Sequence, residues 1–234
     1  MSTVVLIPGL ACDHELWQAQ QPALAAHHAV QVSDVHFRFD TLPAMAAALL
    51  TETAGPLLLV GCSMGGMVAL EAVRQAPHRV LGLALLGTTA RPDTPELKAL
   101  RTQACELFAA GRMDEVLRAN LPFAFHPLSA ADAALVGRYL AMVRRAGAEQ
   151  LIRQNRAVMA RTDSRPLLPA VDCPVLVACG EADALTPPEH AQEIAALVPR
   201  SRLQIVAGAG HMLTLEQPAR VNALLLDWLA ALSA

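Results

Sequence analysis

The segment Gly-Cys-Ser-Met-Gly at residues 61–65 constrains the fold of this chain more than any other. It follows an apolar run at residues 57–60 and precedes a helical pattern at residues 64–76. A serine in a sharp turn between strand and helix points its Oγ out of the backbone, and the tight approach of the two elements requires glycine on either side. The sequence therefore predicts a strand–turn–helix unit that exposes Ser63. The alternative is a glycine-rich turn with an ordinary serine.

The composition favours a single domain with an ample core. Apolar residues make up 54 % of the 234 residues and charged residues only 17 %. A net charge of −3 gives no basic surface for nucleic acid, and no segment is apolar enough to span a bilayer. The first ten residues lack the features of a signal peptide, and the five cysteines show no C-x-x-C spacing. We therefore expect a cytoplasmic protein without nucleic-acid or membrane partners, whose oligomeric state the sequence leaves open.

Strand and helix patterns alternate along most of the chain. Strands are predicted at residues 3–7, 30–35, 57–61, 80–86, 174–179 and 203–206. Helices are predicted between and after them at residues 14–26, 44–53, 64–76, 189–197 and 218–232. Such alternation forms parallel strands joined by right-handed crossovers. The expected fold class is α/β, with a mostly parallel, doubly wound sheet of about six strands.

The middle of the chain shows helical patterns only, at residues 96–110, 113–120, 130–145 and 148–160. We therefore expect a core formed by residues 1–90 and 170–234, with residues 91–169 inserted as a helical cap in the same folding unit. Residues 121–127 are predicted as a loop that contains Phe123 and Phe125. These two rings either line a pocket or pack the insertion onto the sheet.

Three polar residues each follow a predicted strand: Ser63, Asp183 and His211. The carboxyl ends of parallel strands share one edge of the sheet, so these side chains can converge there. A serine hydroxyl needs a base within hydrogen-bond reach, and the base needs an orienting group. We predict Ser63 as nucleophile, His211 as general base and then acid, and Asp183 as the orienting carboxylate.

The role of Asp183 has alternatives. Asp183 could instead cap the helix that follows it, and Asp163 or Asp172 could take its role, although neither follows a strand. No histidine shows a metal-binding spacing such as H-E-x-x-H, so we expect no metal and no organic cofactor.

The motifs around Ser63, Asp183 and His211, in this order along the chain, resemble those of the α/β-hydrolase superfamily. The resemblance covers nearly the whole chain and is to serine esterases that carry a helical cap. The resemblance implies an oxyanion hole formed by two backbone N–H groups, those of Met64 and of Leu10. This chain has Pro8-Gly9 where many relatives have His-Gly, and it lacks their D-x-P-G-x-G-x-S run after the second strand. One wall of the pocket is therefore expected to differ.

Four residues are candidates for contact with the substrate. The candidates are Trp17, Arg91, Phe123 and Phe125. Arg91 could bind either a substrate carboxylate or an acidic residue at the cap hinge. Six arginines lie close together in the last part of the predicted cap: Arg144, Arg145, Arg153, Arg156, Arg161 and Arg165. They form either a solvated helix face or a docking patch for an acidic partner, such as an acyl carrier protein or a coenzyme A thioester.

The expected activity is hydrolysis of a small-molecule carboxylic ester through an acyl-enzyme on Ser63. The same residues serve acyl thioesterases, lactonases and hydrolases of C–C bonds, so these alternatives stay open. A perhydrolase, a lyase or a non-catalytic ligand-binding module is a further alternative, because fold alone does not select a reaction.

Overall fold

A computed structural model describes residues 2–232 and contains one parallel sheet. Residues 1, 233 and 234, which the predicted core segments include, lie outside the described residues. The six strands are β1 (Thr3–Ile7), β2 (Ala29–Val32), β3 (Leu57–Cys62), β4 (Val80–Leu86), β5 (Val175–Gly180) and β6 (Ser201–Val206). Their order is β2-β1-β3-β4-β5-β6, and every neighbouring pair is parallel. The predicted α/β fold is confirmed.

The strand order reverses between β1 and β3. These strands pair side by side, with Ile7 opposite Gly61, while β2 lies on the outer side of β1. The chain leaves the carboxyl ends of β1 and β3 in loops that must meet above this point. In open α/β sheets such a crevice is where ligands bind.

Helices cover both faces of the sheet. They are α1 (Gln20–Ala25), α2 (Val35–Arg38), α3 (Leu42–Glu52), α4 (Met64–Gln75), α5 (Pro95–Ala109), α6 (Met113–Ala124), α7 (Pro127–Ala130), α8 (Ala133–Met159), α9 (Pro188–Leu197), α10 (Leu213–Glu216) and α11 (Pro218–Leu232). Among the described residues, no helix combines the length and the apolar character needed to cross a membrane.

The strands are buried on both sides, so their sequences are almost wholly apolar. In β1, Val4 and Leu6 face one core, and Val5 and Ile7 face the other. The first core continues into α1, α11 and the helices between β4 and β5, and the second into α3, α4 and α9. Successive side chains of a strand point to opposite faces, which produces this division.

Two predicted elements near the N-terminus are wrong in extent. The strand predicted at residues 30–35 ends at Val32, and Val35 already begins α2. The chain turns there because the Phe37 N–H donates to Asp34 O at 2.9 Å, which closes a helical turn, and Val35 is buried in the second core. The helix predicted at residues 14–26 is split into a 3₁₀ turn at His14–Trp17 and the short helix α1.

The predicted loop at residues 121–127 is largely helical. Helix α6 continues through Pro122 to Ala124, and the Phe125 N–H donates to Leu121 O at 3.1 Å. Proline usually interrupts a helix interior. Here Ala124 and Phe125 are buried, and this tertiary packing holds the last turn in place despite the proline.

Helix α8 changes direction where the sequence predicts a break between two helices. Gly147 has φ 82° and ψ 167°, which are not helical values. Beyond this residue the helix continues in a new direction to Met159, and Leu151 joins the same core as Tyr139 and Leu140. The helices between β4 and β5 thus share a core with the sheet.

Candidate active site

Ser63 occupies the turn between β3 and α4, with φ 53° and ψ −117°. A positive φ is uncommon for a residue with a side chain. Hydrogen bonds hold it: the Ser63 N–H donates to Leu86 O at 2.9 Å, and the Thr88 hydroxyl donates to Ser63 O at 2.6 Å. A side chain at Gly61 would overlap the backbone of Gly65, and one at Gly65 would overlap the end of β1. Both glycines are therefore sterically required.

His211 connects Ser63 to Asp183. Its Nε2 lies 2.9 Å from Ser63 Oγ, and its Nδ1 lies 2.9 Å and 3.0 Å from the two Asp183 oxygens. An Nδ1–H that donates to the carboxylate leaves Nε2 as an acceptor for the serine hydroxyl. Both His211 and Asp183 are buried. The structure thus brings the three predicted side chains together, whereas Asp163 pairs with Arg165.

Asp183 is held as an anion by its surroundings. Burial alone raises the pKa of this carboxyl, but the His211 imidazole and hydrogen bonds from Thr186 outweigh burial, so its pKa lies below the usual value. The backbone N–H groups of Leu185 and Thr186 donate to Oδ1 at 3.0 Å and 2.8 Å, and the Thr186 hydroxyl donates to Oδ2 at 2.9 Å. The Asp183 side chain therefore caps the turn at residues 183–186 and also contacts the imidazole.

Thr186 is a site residue that sequence reasoning missed. Its hydroxyl contacts the Asp183 carboxylate and lies 3.3 Å from His211 Nδ1. The available signal was its position three residues after Asp183, where an aspartate side chain commonly accepts hydrogen bonds from the following turn.

The loop after β1 lies against Ser63. A Cβ on Gly9 would lie 3.3 Å from Ser63 Cβ, and both Leu10 and Met64 line the cavity above the serine. Within residues 2–232, neither the Leu10 N–H nor the Met64 N–H has a hydrogen-bond partner. Both amides are thus available to donate to a bound group.

A cavity of about 390 Å³ opens above Ser63 and His211. Most of its wall away from these residues is apolar and comes from the helices between β4 and β5. Its apolar residues include Leu97, Leu100, Ala104, Phe108, Val116, Leu117, Val143 and Leu151. Such a cavity can hold the hydrocarbon part of a small substrate next to the serine.

A smaller cavity of about 220 Å³ lies between α3, α4 and the end of α8. It shares Met67, Thr89 and Arg161 with the first cavity, and none of Ser63, Asp183 and His211 lines it. The larger cavity is therefore the candidate site.

Four charged residues line the larger cavity: Arg91, Asp93, Arg101 and Arg161. Arg91 makes two hydrogen bonds to Glu193, at 2.7 Å and 3.2 Å, so its fork is occupied by an acid of α9. Asp93 accepts from Arg101 at 2.8 Å and from Arg161 at 2.7 Å. Of this group, sequence reasoning identified only Arg91 as a substrate contact. The signal for Arg101 was a single arginine within an apolar stripe spaced three and four residues apart on α5.

The other predicted substrate contacts do not line the cavity. Trp17 is fully buried in the first core. Phe125 is buried as well, with its ring 5.2 Å from that of Tyr139 in an edge-on contact. Phe123 points outward and is 51 % exposed. The packing interpretation of Phe125 is therefore the one that the structure supports, because large rings contribute most when they are fully buried.

The six clustered arginines are mostly paired with acids. Arg144 contacts Asp114, Arg145 contacts Asp13 and Glu15, and Arg153 contacts Asp40. Arg161 contacts Asp93, and Arg165 contacts Asp163 and Glu193, so Arg156 alone of the six has no ion pair in the described part of the chain. Paired charges exert a weak external field, which favours the solvated-face interpretation over the docking patch.

Within the described chain, no group of three or more His, Cys, Asp or Glu residues is placed to hold a metal ion.

Cys12 lies in the loop after β1 and lines the cavity. Burial, with a smaller effect of Asp13, raises the pKa of its thiol to about 12, so it stays protonated and is a poor nucleophile.

Comparison with known proteins gives one family and several related enzymes. The family described as alpha/beta hydrolase fold matches residues 2–218. A pimeloyl-[acyl-carrier protein] methyl ester esterase of Neisseria meningitidis serogroup B is 28 % identical over 220 residues, which cover 89 % of this chain and 85 % of that protein.

Among solved structures, a thermophilic esterase from Thermogutta terrifontis with malate bound superposes with a TM-score of 0.90 at 29 % identity, over 100 % of this chain and 91 % of that one. A putative non-heme bromoperoxidase from Mycobacterium tuberculosis gives a TM-score of 0.82 at 28 % identity, over 100 % and 94 % of the two chains. The similar proteins thus share one architecture and carry different named activities.

Proposed function

This chain belongs to the α/β-hydrolase fold family, and from that premise we propose that it is a serine hydrolase of carboxylic esters that forms an acyl-enzyme on Ser63. The observation that carries the proposal is the continuous hydrogen-bond chain from Ser63 Oγ through the His211 imidazole to the Asp183 carboxylate. The related proteins named as esterases support the ester class.

The proposed reaction has two halves. Ser63 Oγ attacks the carbonyl carbon of the ester while His211 Nε2 takes the hydroxyl proton, and the imidazolium then gives this proton to the leaving alkoxide. Water takes the place of the alcohol, loses a proton to the same nitrogen and attacks the acyl carbon. The bond to Ser63 Oγ breaks, the imidazolium returns its proton to that oxygen, and the free acid leaves. Asp183, anionic in its buried site, stabilises the imidazolium in both halves.

The negative charge that develops on the carbonyl oxygen needs donors. We assign this role to the backbone N–H groups of Leu10 and Met64, which have no partner within the described chain and border the cavity. The N-terminus of α4 adds its positive end at the same point.

The segment at residues 91–169 acts as the cap in this proposal. Its helices α5, α6 and α8 supply most of the apolar wall of the cavity, which suits a small-molecule acyl ester. The core of residues 1–90 and 170–234 carries the three reacting residues. A cytoplasmic location stays a prediction.

A fluorophosphonate probe tests the proposal because it reacts with an activated serine and with no ordinary hydroxyl. We expect labelling of Ser63, detected by mass spectrometry of the peptide, together with hydrolysis of short p-nitrophenyl esters. Ser63→Ala removes the nucleophile, so it should abolish labelling and lower kcat by about five to six orders of magnitude. Folded wild-type protein that is neither labelled nor active on any ester would rule the proposal out.

A further inference from the structure

Asp93 sits between two arginines in the wall of the larger cavity. Its Oδ1 accepts from Arg161 at 2.7 Å and its Oδ2 accepts from Arg101 at 2.8 Å. The carboxylate side chain is only 1 % exposed and that of Arg161 7 %. One of the two guanidinium groups neutralises the carboxylate, so the cluster keeps one uncompensated positive charge next to the cavity.

Arg161 is the arginine that neutralises Asp93. Its other two nitrogens donate to backbone carbonyls, Nε to that of Arg91 at 2.8 Å and Nη1 to that of Val158 at 2.9 Å, so each of its three nitrogens already has a partner. Because Asp93 has this buried partner, its charge does not require Arg101 as well.

Arg101 faces the cavity and keeps a free donor. Its Nε is held by Asp93, and its Nη1 donates to the buried Asn155 Oδ1 at 2.8 Å. Its Nη2 has no hydrogen-bond partner within residues 2–232, and the side chain remains 30 % exposed. The guanidinium is therefore fixed in orientation before any ligand binds, which lowers the entropy cost of binding.

We propose that Arg101 forms a carboxylate-binding subsite in this cavity, so that the substrate is an ester carrying a second, free carboxylate. The inference rests on the proposed function, since it identifies the substrate class of that same site. A planar guanidinium donates parallel N–H bonds to a carboxylate, and one positive charge balances one carboxylate. The apolar wall around it, which includes Leu97, Leu100 and Ala104, fits the hydrocarbon chain between the two ends of such a molecule.

The test compares monomethyl and dimethyl esters of the straight-chain dicarboxylic acids from succinate to suberate. Wild-type protein should prefer the monoester, at the chain length that spans the distance from Ser63 to Arg101. Arg101→Met keeps the length of the side chain and removes its charge, and should lower the monoester-to-diester ratio of kcat/KM by about ten- to a hundredfold, the size of one charge-assisted hydrogen bond. Arg101→Lys should lower the ratio less, because an ammonium keeps the charge and loses the fork.

Arg138→Met is the matched control. The side chain of Arg138 is exposed on α8 and makes no hydrogen bond or ion pair with the described residues, so the same loss of charge there should leave the ratio unchanged. An unchanged ratio in Arg101→Met, or an equal fall in Arg138→Met, would overturn the subsite.

A competition experiment needs no variant: a free dicarboxylate should inhibit the wild-type protein, its uncharged diamide should not, and equal inhibition would also overturn the subsite.

Binding measured without turnover separates this inference from the proposed function. Calorimetry with Ser63→Ala should show the monoester binding at least tenfold more tightly than with the double variant Ser63→Ala/Arg101→Met. If the wild-type protein hydrolyses esters and this difference is missing, the subsite is wrong and the hydrolase proposal stands. If the difference is present and no ester is hydrolysed, the subsite stands and the hydrolase proposal fails.

Discussion

At the scale of single residues, the candidate site depends on conformations that few side chains tolerate. Ser63 and Ala11 are the two non-glycine residues with positive φ among those described, at 53° and 56°. They lie on the two loops that meet above the sheet, one after β3 and one after β1. Each residue held in such a backbone conformation costs about 1–3 kcal/mol of stability, and conformations of this kind occur mainly at functional sites, where the backbone positions a reacting group.

His36 makes folding stability depend on pH. Burial lowers the pKa of this imidazole to about 4, although the Cys12 carbonyl, Asp34 and Asp13 act in the opposite direction. The unfolded chain binds the proton below about pH 6.5, and the folded chain does not until about pH 4. The free energy of unfolding should therefore fall as the pH drops through this window, by up to about 3 kcal/mol, in urea denaturation at a series of pH values.

The control for this prediction is His36→Gln. An amide can still donate to the Cys12 carbonyl, which His36 Nε2 contacts at 2.7 Å, and it does not titrate. The variant should lose less stability than the wild type over the same pH range. Parallel curves for the two proteins would show that His36 does not cause the dependence.

At the scale of elements, helix α8 positions the loop after β1. Gln154 is fully buried; its Oε1 accepts from the Ala11 N–H at 2.6 Å, and its Nε2 donates to His36 O at 2.9 Å. An element far along the chain thus fixes the backbone next to Leu10, whose N–H we assign to the oxyanion hole. Gln154 is a positioning residue in this account.

Gln154→Leu keeps the size of the side chain and removes both hydrogen bonds. We expect kcat to fall about tenfold or more with a smaller change in KM, because the oxyanion hole acts mainly in the transition state. The unpaired Ala11 N–H should also lower the free energy of unfolding by about 1–3 kcal/mol. Steady-state kinetics on a p-nitrophenyl ester and urea denaturation measure the two effects.

Gln150→Leu is the matched control, since the Gln150 side chain also donates to His36 O, at 2.7 Å, and makes no hydrogen bond to the loop among the described residues. It should reduce stability and leave kcat close to that of the wild type. If both variants lower kcat equally, the effect comes from the His36 carbonyl and the assignment to the loop is wrong.

At the scale of the whole molecule, the sheet and the helices between β4 and β5 share one core. Leu140 and Tyr139 of α8 belong to the same buried cluster as Leu58 and Val60 of β3. Ion pairs cross the same boundary, as between Arg145 of α8 and Asp13. Neither part can lose its packing without exposing the core of the other, and we therefore propose that they fold as one unit.

Equilibrium unfolding tests this proposal with two probes. Trp17 and Trp228 report on the shared core by fluorescence, and far-UV circular dichroism reports on the helices. We expect coincident transitions, and Leu140→Ala should shift both together by about 2–5 kcal/mol. Leu128→Ala, at a leucine that is 79 % exposed, should shift neither. Two separate transitions, or a Leu140→Ala effect on one probe alone, would show that the helical segment unfolds independently.

The sequence by itself determined where the six strands lie to within a few residues, their parallel direction and the three residues that meet at the sheet edge. These features follow from local chemistry: buried parallel strands must be apolar on both faces, and Gly61 and Gly65 permit the tight turn that Ser63 occupies. The strand order brings residues 63, 183 and 211 to one edge however the surface loops run. Residues as far apart in sequence as Ser63 and His211, 148 positions, therefore meet at this edge.

Only the tertiary structure decided what lines the cavity. The sequence predicted Trp17 and Phe125 as substrate contacts, but both side chains are buried in the core. Arg101 and Thr186 line the cavity because elements distant in sequence pack together there. The physical reason is that a side chain on a surface helix or a loop has several possible neighbours of similar energy. The neighbours that such a side chain contacts depend on how the helices between β4 and β5 pack on the sheet, and no local sequence pattern contains that information.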